Sequence, residues 1–139
     1  MTKDEVMQAL QANGSEQTKT ILMRHGAREP FFGVKVGDLK PLMKQIKKDH
    51  ALSLELYATG NSDAMYLAGL IADEHQISPG ELQTWAEEAY WYMISEYTVA
   101  WVAAESPHGW ELALQWIESA EEHMATAGWA TLSSWLSIT

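Results

Sequence analysis

The sequence predicts an all-α protein built from successive pairs of antiparallel helices. Apolar residues recur three and four positions apart along most of the chain, and no stretch alternates apolar and polar residues as a half-buried strand does. Thr2, Ser15 and Ser78 precede such apolar stripes as helix caps, and Gly14 and Gly60 follow others as stop signals. The helix pairs recur roughly every 40 residues, which favours stacked HEAT-like helical repeats in a short α-solenoid. We expect a single domain over residues 1–139.

Residues 27–37 are predicted to form an irregular clasp. They contain one proline and two glycines, which oppose a helix, together with four large apolar side chains, which predict packing on the core. Asp38 is expected to cap the next helix, with Pro41 in its first turn. The predicted buried side of that helix comprises Leu39, Leu42, Met43 and Ile46.

Several serines mark helix starts in the second half of the chain. Ser78 begins the clearest one, because proline and then glutamate follow it in the order of a capping box. The stretch 81–105 contains neither glycine nor proline but is long for one globular helix, so we expect a break near Ser95. Ser106 and Ser119 are expected to start the last two helices.

Charge is divided sharply along the chain. The first 48 residues contain all nine basic residues and five acidic ones, which leaves +4, whereas residues 49–139 contain fourteen acidic residues and no lysine or arginine. Affinity for nucleic acid comes largely from basic side chains that neutralise phosphates, so any DNA contact is expected to use the first third of the chain, through its N-terminal basic helix. A merely solvated face is the alternative interpretation. The candidate phosphate-binding residues are Lys35, Lys40, Lys44 and Lys47.

Composition excludes several classes of protein and site. The chain has no cysteine, so disulfides and thiolate sites are excluded, and this usage fits a reducing cytoplasm. No apolar run is long enough to span a bilayer, and we expect a cytoplasmic protein that does not enter a membrane. Gly33 and Gly37 do not have the spacing of a nucleotide-binding loop, and Glu105 and His108 are separated by a predicted helix boundary. We therefore expect no cofactor and no metal.

The segment 90–106 concentrates large aromatic side chains. It contains two of the seven tryptophans and three of the five tyrosines, and it contains no basic residue. Aromatic residues at helical spacing serve either as core or as the wall of a cleft, and the sequence leaves both interpretations open.

Several segments resemble one protein family. The stretch Phe32-Gly-Val-Lys-Val-Gly-Asp-Leu-Lys40 resembles the loop and helix start of the HEAT-like alkylpurine DNA glycosylases, which are AlkD-like DNA alkylation repair proteins. Residues 56–68 resemble their next helix pair, and residues 116–119 and 127–130 resemble the pair after their active-site segment. The resemblance covers nearly the whole chain and implies the same HEAT-like fold.

The resemblance also implies that the family's catalytic groups are missing. The active-site segment of the family, Trp-Asp-x-x-Asp, falls on residues 97–101, where Thr98 and Trp101 replace both carboxylates. The arginines of a later family motif are likewise replaced within residues 123–126. Glu105 lies one helical turn after Trp101 and is the best substitute acid, although a solvated carboxylate is the alternative interpretation.

These observations favour a binding protein over an enzyme. Its predicted groove would accept nucleic acid, a base or another ligand, and it is lined by Trp91, Tyr97, Trp101 and Trp129. The first alternative is an active alkylpurine DNA glycosylase that uses Glu105. The second is an interaction scaffold that self-associates or binds a partner helix through its C-terminal helix, at Trp129, Trp135 and Leu136, because family members continue for several more helices.

Overall fold

Helices build the part of the chain that the computed structural model describes, residues 1–138. This part contains nine α-helices, one π-helical segment and no strand, so the all-α prediction is confirmed. The elements are α1 (Lys3–Asn13), α2 (Glu16–Arg24), α3 (Val36–Ile46), α4 (His50–Ala58), α5 (Ser62–Leu70), α6 (Pro79–Glu88), the π segment (Met93–Val99), α7 (Ala100–Glu105), α8 (Gly109–Trp116) and α9 (Glu122–Ile138).

The chain divides into two compact units. The N-terminal unit, Met1–Ala72, contains α1 to α5, and the C-terminal unit, Asp73–Thr139, contains α6 to α9 with the π segment. Each unit has its own buried core, around Leu10, Leu56 and Leu67 in the first and Leu82, Ile94 and Trp116 in the second. The expectation of one domain over the whole chain stays a prediction.

The clearest predicted helix starts are confirmed. Thr2 and Glu5 form a reciprocal capping box, and Ser78 and Glu81 form another with Pro79 at the first helical position. In each box the hydroxyl accepts a backbone N–H that the helix itself leaves without a partner. Local chemistry is sufficient to set these boundaries.

The predicted start of α3 is wrong. Lys35 is the N-cap and Val36 the first helical residue, so Asp38 lies inside the first turn and Pro41 beyond it. A carboxylate is favourable both at the cap and within the first turn of a helix, so the sequence pattern did not distinguish the two positions. Leu39 and Leu42 are buried as expected, while Met43 and Ile46 are only half-buried.

The clasp is attached to the N-terminal unit through Asp63 on α5. The buried Asp63 carboxylate accepts backbone N–H groups from Phe32 at 2.6 Å, Gly33 at 3.2 Å and Val34 at 3.0 Å. Gly33 has φ +79°, and a Cβ there would lie 2.6 Å from backbone atoms of α2 and its N-cap. Burial raises the pKa of the Asp63 carboxyl, against the opposing effect of the three hydrogen bonds. Phe31 and Val34 of the clasp are buried as predicted, whereas Val36 is exposed and lies with Gly37 inside α3. The attachment through Asp63 was not foreseen.

The helix break in the second half lies earlier than expected. α6 ends at Glu88, residues 89–91 are not helical, and Ser95 lies inside the π segment. Ala89 and Trp91 are both buried in this break, so tertiary burial, which a local pattern does not report, decides its position. Ser106 and Ser119 accept hydrogen bonds in the turns before α8 and α9 and do not act as the helix caps themselves.

We predict that Asp63→Asn destabilises the protein by about 3 kcal/mol, because the amide retains the shape of the carboxylate but removes the charged acceptor of three backbone donors. Urea-induced unfolding measures the effect. The matched control is Glu55→Gln, which neutralises an exposed carboxylate on α4 and is expected to stay within about 0.5 kcal/mol of the parent chain. Equal effects of the two substitutions would contradict the role given to Asp63.

Candidate functional site

A row of aromatic side chains follows the π segment into α7. We define the aromatic row as Tyr92, Tyr97 and Trp101, which are 40%, 36% and 41% exposed. Their ring centroids are 6.3 Å apart between the two tyrosines and 5.2 Å apart between Tyr97 and Trp101. The i→i+5 winding of a π-helix brings residues five apart toward one side, whereas ordinary α-helical winding would separate them. The π segment therefore aligns the row.

The other two predicted groove residues have different environments. Trp91 is 7% exposed and meets Tyr92 edge to face at 5.4 Å, so most of its ring belongs to the core. Trp129 on α9 is 60% exposed. The exposed members of the predicted set are thus Tyr97, Trp101 and Trp129, with Tyr92 as an aromatic residue that the sequence interpretation missed.

Two clefts lie between this segment and α9. The first, which we call the α7–α9 cleft, has a volume of about 260 Å³ and is lined by Trp101, Ala104, Glu105, Ser133, Ser134, Ser137 and Ile138. The second, which we call the tyrosine cleft, has a volume of about 300 Å³ and is lined by Tyr90, Trp91, Tyr92, Ser95, Glu122, His123 and Thr126.

The clefts show that the π segment and α7 run parallel to α9. Residues 90–95, around the start of the π segment, line the tyrosine cleft together with residues 122–126 at the start of α9. Residues 101–105 of α7 line the α7–α9 cleft together with residues 133–138 at the end of α9. The aromatic row begins at one cleft, with Tyr92, and ends at the other, with Trp101. Trp129 is exposed on α9 but lines neither of the two clefts, so the aromatic row and the two clefts form this surface without it. We call this surface the aromatic groove.

The aromatic groove is acidic. The C-terminal unit contains eleven acidic residues and no lysine or arginine, and Glu105 and Glu122 each line one of the clefts. His123 is half-buried, with its Nε2 3.2 Å from the Glu87 carbonyl oxygen and its Nδ1 3.7 Å from Oε2 of Glu121. This surface repels phosphate and favours neutral or cationic groups.

Thr98 and Trp101, the two positions that the resemblance aligns with the family's carboxylates, have opposite environments. Thr98 is 2% exposed, and within residues 1–138 its buried hydroxyl has no hydrogen-bond partner. Trp101 opens onto the α7–α9 cleft, where Glu105 also lies. Of the two residues, Trp101 lines one of the two clefts defined above and Thr98 lines neither. Glu105, the substitute acid suggested by the sequence, lines the same cleft as Trp101.

The predicted phosphate-binding lysines lie on and beside α3. Lys40 and Lys44 are one turn apart on the helix, Lys35 is its N-cap and Lys47 its C-cap, and all four are exposed. None of the four forms an ion pair within the described residues. The N-terminal unit contains nine basic and eight acidic residues, a net +1, so all of the basic charge of the chain lies in this unit.

Two further findings concern metals and membranes. Across residues 1–138, no group of three or more histidine, aspartate or glutamate side chains is placed to hold a metal ion. The same residues contain no helix with the length and apolar character that a membrane span requires.

Similarity to known proteins identifies the family. The family model for DNA alkylation repair enzymes matches residues 6–139, and the chain belongs to that family. One solved structure is described as a new family of proteins related to the HEAT-like repeat DNA glycosylases with affinity for branched DNA structures. It matches with a TM-score of 0.93 and 46% identity over 98% of this chain and 58% of that one, which confirms the HEAT-like fold.

Two curated bacterial relatives are more distant. The uncharacterized proteins Lin0241 of Listeria innocua and Lmo0209 of Listeria monocytogenes are each 28% identical over 96% of this chain. The chain covers 62% of the length of each. It therefore spans about three-fifths of the length of these relatives.

We predict that Thr98→Val raises the free energy of unfolding by about 1 kcal/mol, because it replaces a buried hydroxyl without a partner by a methyl group of the same size. Thr131→Val is the matched control. Thr131 is 0% exposed, and its hydroxyl donates to the Ala127 carbonyl oxygen at 2.6 Å, so its replacement is expected to cost about 1 kcal/mol. Thermal and urea unfolding of both variants measure the difference, and destabilisation by Thr98→Val would refute it.

Proposed function

We propose that this chain contributes DNA binding, with a preference for branched DNA, and does not hydrolyse glycosidic bonds. The observation that supports the proposal most directly is the set of four exposed lysines around α3, which lie in the basic unit and form no ion pair within residues 1–138. An exposed lysine that forms no ion pair can bind a DNA phosphate, and release the counterion of that phosphate, without first breaking an ion pair within the protein.

Similarity supports the preference for branched DNA. The solved structure with 46% identity belongs to proteins described as having affinity for branched DNA structures. Branch points expose bases that are less completely stacked than those of a continuous duplex. An exposed aromatic side chain that stacks on such a base contributes roughly 1–3 kcal/mol, largely independent of sequence. The aromatic row supplies three such rings on the π segment and α7.

The residues around Trp101 argue against base excision. Hydrolysis of a glycosidic bond requires stabilisation of positive charge that develops at the sugar, and a carboxylate is the usual group for that purpose. Thr98 and Trp101 carry no charge, and Thr98 is buried away from solvent. We therefore expect this chain to bind DNA although Thr98 and Trp101 take the place of the carboxylates that hydrolysis would need.

We predict that Lys44→Glu weakens binding to a four-way DNA junction about tenfold at 0.1 M salt and reduces the slope of log K against log salt by about 1, because one phosphate contact is lost. Fluorescence anisotropy with labelled junction and duplex of the same length measures both quantities for the 139-residue chain.

The matched control for that experiment is Lys3→Glu. Lys3 is also exposed, lies on α1 in the same unit and gives the same change in net charge. If both variants lose the same affinity, binding depends on overall charge and the assignment to α3 is wrong. Equal affinity of the parent chain for junction and duplex would remove the proposed preference for branched DNA.

The second candidate function is an active alkylpurine DNA glycosylase that uses Glu105. The observation in its favour is that Glu105 and Trp101 line the same cleft. This function predicts release of alkylated purine from methylated duplex DNA and its loss, by at least about 100-fold, in Glu105→Gln. We expect no release from the parent chain. Release that Glu105→Gln abolishes would replace the proposed function by this one.

A further inference from the structure

We propose that the α7–α9 cleft is a binding site for a free aliphatic amine of the diamine or polyamine class. The proposal depends on residues of the C-terminal unit alone. It shares Trp101 with the proposed base stacking but does not involve the proposed DNA contacts around α3. It concerns the five groups of the cleft that offer a cation favourable contacts, namely Trp101, Glu105, Ser133, Ser134 and Ser137.

The cleft matches the hydrogen-bonding capacity of an ammonium group. A primary ammonium has three N–H donors and no acceptor, so its partners must be acceptors. Glu105 supplies an exposed carboxylate, and the hydroxyls of Ser133, Ser134 and Ser137 lie around the same volume. The Ser137 hydroxyl donates its hydrogen to the Ser133 carbonyl oxygen at 3.0 Å, which leaves its lone pairs to accept.

The tryptophan selects for a cation with an aliphatic part. Trp101 is 41% exposed and lines the cleft, so part of its ring surface is accessible to a ligand. A cation within about 6 Å of an indole ring is attracted by the negative face of the ring, and methylene groups bury apolar surface against it. Ala104 and Ile138 complete the apolar part of the wall.

The charge of the C-terminal unit argues against an anionic ligand in this cleft. With eleven acidic residues and no lysine or arginine in residues 73–139, a phosphate or carboxylate ligand would find no basic partner in this unit. The summed potential of the acidic side chains concentrates cations at this surface and favours ligands with more than one positive charge. The small volume, about 260 Å³, accommodates an ammonium with a short alkyl chain.

Two-dimensional amide NMR with 1,4-diaminobutane as the probe tests the proposal. Titration of the ¹⁵N-labelled 139-residue chain at low salt is expected to shift the indole N–H signal of Trp101 and the backbone amides of residues 133–137. The neutral analogue 1,4-butanediol is expected to leave these signals unchanged, because it lacks the charge that Glu105 and Trp101 recognise.

Glu105→Gln is expected to weaken binding of the diamine about tenfold, because it removes the charged acceptor but retains the shape of the side chain. Glu111→Gln is the matched control, since Glu111 is exposed on α8, does not line the cleft and changes net charge equally. Trp101→Leu, which retains an apolar side chain, is expected to weaken binding about fivefold through loss of the ring face.

Three results would overturn the assignment. The first is the absence of shifts at Trp101 and residues 133–137 when the diamine is added. The second is an equal loss of affinity in Glu111→Gln, which would mean diffuse attraction to an acidic surface. The third is preference for the cationic nucleoside 7-methylguanosine over the diamine, which would assign the cleft to an alkylated base. The diamine titration contains no DNA, so failure of the proposed DNA binding would leave this test unaffected.

Discussion

The close packing of α9 beside α7, α8 and the π segment is the constraint on which the candidate site depends. Small residues are buried in these elements, among them Ala103 in α7 and Ala127 and Gly128 in α9. A Cβ added at Gly128 would lie 2.6 Å from the backbone nitrogen of Ile117, so larger residues at this contact would push α9 away from α8. Because the helices meet through small residues, the long side chains of Trp101 and Glu105 remain at the rim and enclose a cleft.

Charge separates the two units into surfaces with different binding capacities. The N-terminal unit contains the lysines around α3 and a clasp attached by the buried Asp63 carboxylate. The C-terminal unit contains exposed aromatic rings and carboxylates without a single lysine or arginine. The proposed phosphate binding and the proposed binding of flat or cationic groups thus involve different residues, in different units.

Membership of the DNA alkylation repair family does not determine the chemistry of this chain. The fold agrees closely with a solved relative, at a TM-score of 0.93. The resemblance drawn from the sequence implies that Thr98 and Trp101 stand where other members have carboxylates. A fold is stabilised by many distributed contacts, so it tolerates changes at single positions that contribute little to packing. Within residues 1–138, Thr98 places a hydroxyl without a hydrogen-bond partner in the core, and Trp101 places a large ring at the α7–α9 cleft.

The sequence by itself determined the helical class, the capping boxes at Thr2 and Ser78 and the segregation of basic residues. These features are local or compositional, so neighbouring residues suffice to specify them. Only the tertiary structure decided that Trp91 is buried while Tyr97 and Trp101 are exposed, that a π segment aligns the aromatic row, and that serines of α9 face Glu105. The reason is physical: exposure and cleft formation depend on which helix packs against which, and those contacts join residues about thirty positions apart in the chain.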